Sequence, residues 1–402
     1  MSVSRNIRLL GWFNFWAEFR PYAPIAILYF SQVSGSYALG MSIFSTAMLA
    51  QSVFEVPTGV LSDRVGRKQT MIFGAVAGVF ALTFYAIGGT YLALLIGAIF
   101  EGLSRSFYSG NNEALLYDTL AEMEQRTDYQ EFLGKTSSMY QWALAFSALI
   151  GSIIAAISFQ IVMWLSVVPM VLALLVTLRL VEPQVHKSAS TNVYAHLSTA
   201  YKNIVRNPRL RTLSLAGILS FAIGESAWLF RSTFIATLWP VWAIGVAQMI
   251  GNAMAAVGFF FAGRIIKRFG EFRLLVGGMF VNEVVNLFGL LVPTVFSPAL
   301  MALLSSFYGI NSVAKQSLIQ VEFSDAERAT MGSLNSLGGS LVFALFSFLL
   351  GALADRTGII PALIAAALLA IIPMLLYWRV LRPRHPQPQP IPEAVGSGHG
   401  NG

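Results

Sequence analysis

The sequence predicts an all-α integral membrane protein of twelve transmembrane helices, arranged as two pseudo-symmetric six-helix bundles. Three observations predict it. Of 402 residues, 56% are hydrophobic and only 11% charged, whereas an average soluble domain is about 25% charged. Twelve stretches each offer roughly 20 mostly apolar residues, the length that crosses a bilayer. A basic polar interval at about 182–210 divides those stretches six and six.

In chain order the spans fall at about 9–33, 38–61, 70–89, 91–117, 136–157, 160–181, 211–234, 240–262, 273–292, 298–321, 329–350 and 359–381. The first reads as a retained span rather than a leader peptide. Glu18 and Arg20 interrupt its apolar core, and no small-residue cleavage site follows. Residues 1–182 are expected to form one bundle and 211–382 the other. Residues 183–210 would link them, with room for a short surface helix at 194–205. The tail 383–402 is rich in Pro, Gly and Gln, a composition that buries too little to fold.

The net charge of +7 looks at first like that of a nucleic-acid binder. Placement removes that reading. Of 26 basic residues, 21 fall on the face that carries both termini, one (Arg356) on the other, and four (Arg20, Arg105, Arg231, Lys315) within spans. The excess is topological, and it puts both termini in the cytoplasm, across an inner or plasma membrane. Cysteine is absent, which excludes disulfides, thiolate metal sites and cysteine nucleophiles. All four histidines lie outside the spans. Gly134-Lys135-Thr136 has Tyr129 where a phosphate-binding loop needs its first glycine. No cofactor, metal or nucleic-acid partner is expected, and no enzyme. The expected partners are the lipid bilayer, a small-molecule substrate and protons, with the protein a monomer.

The chain also repeats itself. The loop after span 2 reads Gly59-Val-Leu-Ser-Asp63-Arg64-Val-Gly66-Arg67-Lys68; the loop after span 8 reads Gly263-Arg-Ile-Ile-Lys267-Arg268-Phe-Gly270. A shift of 204 superposes Gly59, Arg64 and Gly66 on Gly263, Arg268 and Gly270. Phe107-Tyr108 in span 4 and Phe307-Tyr308 in span 10 match at a shift of 200. Parallel halves of this kind are a transporter architecture. With these motifs in place, the sequence resembles the major facilitator superfamily over about 9–381. The Gly59–Lys68 loop matches the family's signature loop. Glu55-Val-Pro57-Thr-Gly59 and Gly110-Asn-Asn-Glu-Ala114-Leu-Leu-Tyr117-Asp118 look like a large prokaryotic branch of it. The resemblance implies alternating access through a cavity lined by spans 1, 4, 7 and 10. Two features depart from the family pattern. Arg105 is followed by glycine five residues on rather than four, and the Gly-x-x-x-Gly-Pro run of drug antiporters is missing from span 5.

The signature loop has a physical reading. Gly59 and Gly66 would allow a tight turn and close helix approach. Asp63 would pair with Arg64, Arg67 or a helix N-terminus. Gly59, Asp63, Arg64, Gly66, Arg67 and Lys68 are therefore expected to form a cytoplasmic latch that makes and breaks with the gate. A purely topological role for the basic residues is the plainer alternative.

An ionisable side chain near the bilayer centre costs at least ~2.5 kcal/mol, so its presence there marks a wet or functional interior. In span 4, Glu101, Arg105, Tyr108 and Asn112 share one helical face. In span 10, Tyr308, Asn311 and Lys315 do the same. These read as two facing stripes across a cavity, with Tyr108 opposite Tyr308; the bland alternative is a simple i,i+4 pair between Glu101 and Arg105. Span 1 carries Glu18 and Arg20-Pro21-Tyr22-Ala23-Pro24. Its prolines cannot donate to the carbonyls of Ala17 and Arg20, giving either a broken helix at a binding site or an ordinary kink. Glu225 and Arg231 lie on different faces of span 7 and need partners elsewhere. Glu283, with Asn282 and Asn286, reads as a structural cluster.

The substrate and proton pathway is thus expected to run through Glu18, Arg20, Glu101, Arg105, Tyr108, Asn112, Glu225, Tyr308, Asn311 and Lys315. With no histidine in the spans, proton transfer would fall to Glu18, Glu101 or Glu225. The first expectation is proton-coupled efflux of an amphipathic or drug-like compound. The second is uptake of an anionic metabolite, with the four intramembrane cations as its partners. A non-transporting membrane sensor is the alternative of another class.

Overall fold

A computed structural model describes residues 2–183, 207–322 and 325–382. Most of the expected linker, including its short helix, and the tail 383–402 lie outside the described residues. Among the described residues every regular element is helical.

Span 1 is Ser2–Glu18 and Ala26–Ser34, joined through a 3-10 turn at Ala23–Ile25. Spans 2 and 3 are Tyr37–Val65 and Arg67–Ile87. Span 4 is split into Tyr91–Tyr108 and Asn111–Glu122. Spans 5 to 9 are Tyr129–Ala155, Phe159–Leu178, Pro208–Leu238, Trp242–Phe269 and Glu271–Leu291. Span 10 is Ser297–Leu303 plus Ser305–Glu322, and span 11 is Asp325–Thr357. Span 12 breaks between Ile359–Leu369 and Ile371–Leu381, where Pro373 leaves the Leu369 carbonyl without its helical donor. Among the described residues, nine helices are long and apolar enough to cross a membrane. The three spans outside that measure, 1, 4 and 10, are broken and carry charge.

Local chemistry places the ends. Ser36, Thr90 and Ser158 accept the amide hydrogens of Leu39, Ala93 and Ile161 and so begin spans 2, 4 and 6. Asn207 caps span 7, whose first residue, Pro208, has no amide hydrogen to lose.

The packing repeats in the two halves. Span 1 packs on 5 and 6, span 2 on 4, and span 3 on 4 and 6; span 7 packs on 11 and 12, span 8 on 10, and span 9 on 10 and 12. Lipid gives no hydrophobic drive between helices, so close approach depends on small residues. A side chain at Gly102 would meet the Ala47 carbonyl at 2.3 Å, and one at Gly309 the Ala255 carbonyl at 2.5 Å. These are corresponding contacts, 2 with 4 and 8 with 10.

The halves meet mainly through spans 2 and 11 and spans 5 and 8. Ser45 is 2.7 Å from Ser347, Ser52 is 2.9 Å from Ser340, and Ser152 donates to the Trp242 carbonyl at 2.9 Å. These contacts lie from mid-span to the face opposite the basic loops. Towards the basic face, Val53, Val60 and Val65 of span 2 are exposed, and the halves leave a central space between them there.

Candidate functional site

The break in span 1 builds the centre of the site. Pro21 cannot donate to the Ala17 carbonyl, and the Arg20 Nε does so instead at 3.1 Å. The Arg20 carbonyl accepts from the Ala23 amide at 3.1 Å, and the Tyr22 amide donates to Ser166 Oγ at 3.1 Å. Gly151 of span 5 lets this bend come close, since a Cβ there would lie 1.9 Å from the Pro21 carbonyl oxygen. The chain is a broken helix rather than a kinked one.

The break turns Arg20 and Tyr22 towards span 4. Arg20 meets Glu18 at 3.0 Å and Glu101 at 3.6 Å. Glu101 accepts from Arg105 Nη2 at 2.6 Å and Nε at 3.1 Å, from the Tyr22 hydroxyl at 3.1 Å and from the Tyr85 hydroxyl at 2.8 Å. Two carboxylates and two guanidinium groups thus cancel in one cluster, buried at Glu101 and Arg20 and open at Arg105, as charges withdrawn from water require. The expected pair of Glu101 and Arg105 is present, but as part of this larger network. Glu18, which has no basic residue three or four positions away, pairs with Arg20 two positions on. Tyr22 and Tyr85 escaped the sequence reading; only the position of Tyr22 beside the prolines signalled it.

Arg105 keeps 41% of its side chain exposed while Glu101 keeps 12%, so the guanidinium edge faces the cavity. From the other half, Glu225 lies within electrostatic reach of Arg105, and Tyr308 of Glu225. Tyr140 of span 5 interacts with Glu18, Arg20, Arg105 and Tyr308. Among the described residues Glu225 has neither a hydrogen bond nor an ion pair.

The two facing stripes need correction. Gly110 adopts φ +68°, which ends the first helix of span 4 and swings Asn112 off the line of Glu101 and Arg105. Asn112 donates to Asn14 at 3.3 Å and lines a pocket of about 310 Å³ with Asn14, Thr136, Tyr140 and Gln141. Tyr108 does not face Tyr308. Its ring packs 5.0 Å from Phe13 and against Gly74, inside the first bundle. Asn311 points to Gly278 of span 9 rather than to the cavity. Lys315 extends towards Gly217 of span 7, beside the Tyr377 hydroxyl of span 12. It sits inside the second bundle and has no acidic partner among the described residues. Arg231 is in electrostatic contact with Glu283, which accepts from Asn282 at 3.2 Å.

The signature loop also differs in detail. Gly59 lies within the span 2 helix with open space around it, so it makes neither a turn nor a close contact here. Gly66 makes the turn at φ +101°. Arg67 meets Asp63 at 3.4 Å and Asp118 at 3.7 Å, and donates to Ser62 at 2.9 Å. The carboxylate at the N-terminus of span 3 is Glu182, not Asp63: it accepts the Arg67 and Lys68 amides at 2.7 Å each. Lys68 and Arg64 remain on the same basic rim.

Twelve spans among the described residues, set in two like halves with a charged cluster at a broken helix, have the architecture of a membrane transporter. Residues 7–341 match the model of the Major Facilitator Superfamily, and the chain belongs to that family. An uncharacterised transporter of Buchnera aphidicola subsp. Schizaphis graminum is 28% identical over 47% of this chain and 46% of its own length. An uncharacterised MFS-type transporter of Methanocaldococcus jannaschii is 29% identical over 33% of each chain. The matched stretches thus span less than half of either relative. The fold is similar to the crystal structure of the nucleoside transporter NupG, with a TM-score of 0.80 at 14% identity, over 96% of this chain and 100% of that one.

Proposed function

We propose that the protein is a proton-coupled secondary carrier of the inner or plasma membrane that exports an amphipathic or drug-like compound by alternating access. Both termini would face the cytoplasm, the bundles would divide near 182 and 211, and the protein would act as a monomer. The observation that carries this reading is Glu225. It lies within electrostatic reach of Arg105, from the other half, and has neither a hydrogen bond nor an ion pair among the described residues. A carboxylate in that position can hold a proton or a cationic substrate in turn, and its affinity for either depends on how near Arg105 stands. Arg20 and Arg105 are already neutralised by Glu18 and Glu101, which leaves Glu225 as a carboxylate without an ion pair among the described residues. On this reading the Asp63–Arg67–Asp118 contacts are the latch of the basic face.

Uptake of an anionic metabolite is the second reading, and one observation favours it: Lys315 is a cation without an acidic partner among the described residues. Proteoliposomes separate the two. A pH gradient should drive accumulation of a fluorescent amphipathic cation, and Glu225→Gln should abolish that while sparing substrate exchange. Gradient-driven accumulation that survives in Glu225→Gln would exclude Glu225 as the proton carrier. Absence of counterflow across a panel of amphipathic cations and organic anions would favour a sensor.

A further inference from the structure

The outer end of span 11 reads Gly351-Ala-Leu-Ala-Asp355-Arg356-Thr-Gly358. This repeats Gly59-Val-Leu-Ser-Asp63-Arg64-Val-Gly66 at every marked position, Gly-x-Leu-x-Asp-Arg-x-Gly, but on the opposite face of the membrane. The likeness extends to the backbone. Gly66 ends span 2 at φ +101° with its amide on the Ser62 carbonyl at 3.0 Å; Gly358 ends span 11 at φ +89° with its amide on Ala354 at 2.9 Å.

The two copies differ in what they touch. Gly59 has open space around it, whereas a Cβ on Gly351 would lie 2.6 Å from Ala38 Cα and 2.7 Å from the Tyr37 carbonyl oxygen. Asp63 meets a residue of its own loop. Asp355 crosses to the other half: it accepts from Ser36 Oγ at 2.6 Å, the Tyr37 amide at 2.6 Å and the Ala38 amide at 3.0 Å. Those amides are orphan donors at the start of span 2, and the positive end of a helix favours an anion. Ser36 already caps that helix in cis through the Leu39 amide, so Asp355 adds a second, interdomain cap.

We infer that Gly351–Gly358 is a second copy of the signature loop, acting as the latch of the outer gate, with Asp355 as its bolt on the N-terminus of span 2. Glycine at 351 lets the helices touch, the acid joins them, and the bond breaks when spans 2 and 11 part. The contact is solvent-exposed, so its strength is that of a screened cap rather than a buried ion pair.

The chain has no cysteine, so single cysteines report the gate directly. Ser347 is 0% and Ser45 5% exposed between the halves. In full-length Ser347→Cys protein in membranes, a membrane-impermeant maleimide added to the outer face should label slowly. Adding Asp355→Ala should raise the labelling rate about tenfold, the order expected from losing a charged cap. Asp355→Asn should fall between, and Arg356→Ala should leave the rate unchanged. Oxidative cross-linking of Ser45→Cys with Ser347→Cys in the Asp355→Ala background should still form a disulfide, showing that the variant folds and still visits the closed state. A labelling rate unchanged by Asp355→Ala, or raised equally by Arg356→Ala, would overturn the latch. No substrate enters this assay, so its outcome is independent of the proposed transport reaction.

Discussion

The carboxylate of Glu182 occupies the space that a side chain on Gly66 would need: a Cβ there would lie 2.6 Å from Glu182 Oε1. The two residues are 116 positions apart, yet they form one joint. Glu182 holds the first amides of span 3 while Gly66 turns the chain into it. Both changes should therefore weaken the same joint. Glu182→Gln should cost about 1 kcal/mol as a charged helix cap is lost. Gly66→Ala should cost about 1–3 kcal/mol from its left-handed backbone, and more from the clash. Thermal unfolding in detergent measures both, and the double variant should lose less than the sum, because either change alone displaces the same carboxylate.

The charged cluster predicts an asymmetry among the glutamates. Glu101→Ala would leave Arg105, Tyr22 and Tyr85 without their acceptor and Arg20 with Glu18 alone, at a cost of about 3 kcal/mol for a broken, partly buried pair. Glu225→Gln breaks no bond among the described residues and should stay within about 0.5 kcal/mol of the parent. Apparent melting temperatures of the two variants should separate clearly. Equal losses would mean that Glu225 has a partner of comparable strength.

At the basic face, Arg67 connects Asp63, Asp118 and Ser62. Arg67→Ala should reduce transport at least as much as Asp63→Asn, since it cuts three contacts and not one. Initial rates in proteoliposomes, normalised to folded protein, test this. Undiminished rates in both would return the loop to a topological role.

Lys315 makes a prediction with opposite signs in two assays. As an intramembrane cation with no acidic partner among the described residues it carries an insertion cost of at least ~2.5 kcal/mol, so Lys315→Met should leave the ligand-free protein as stable as the parent or more so. If an organic anion is the substrate, the same variant should lose the thermal stabilisation that the anion confers by mass action, and lose more of it than Arg105→Lys does. A destabilised ligand-free variant would show that Lys315 serves the fold.

Much of this was legible in the sequence, for reasons that differ by residue. The breaks at Pro21 and Pro24 could be read because proline lacks the amide hydrogen a helix needs. The glutamates and arginines of spans 1, 4 and 7 announced themselves by being costly where they stand. Gly110 did not, since an isolated glycine is tolerated within a helix and only its φ of +68° shows that this one ends it. That single turn separated Asn112 from the face shared by Glu101 and Arg105. Asn311 and Tyr108 had the correct helical spacing, but spacing gives an angle around one helix and not the identity of the neighbour. The Gly351–Gly358 copy was visible as letters. It escaped because it lies on the opposite face, outside the parallel repeat that related the other loops.

By itself the sequence determined that the chain is a helical membrane protein of many spans built as two like halves. This follows from short-range terms: about 20 apolar residues to cross a bilayer and a repeat in the letters. Only the tertiary structure decided which charges neutralise one another and which face one half across to the other. Glu101 meets Arg20 from a different span because a broken helix points it there, and Asp355 meets Tyr37 because two bundles close on one face. Those pairings depend on distances between segments far apart in the chain, set by how small residues let helices approach, and no local rule in the sequence carries them.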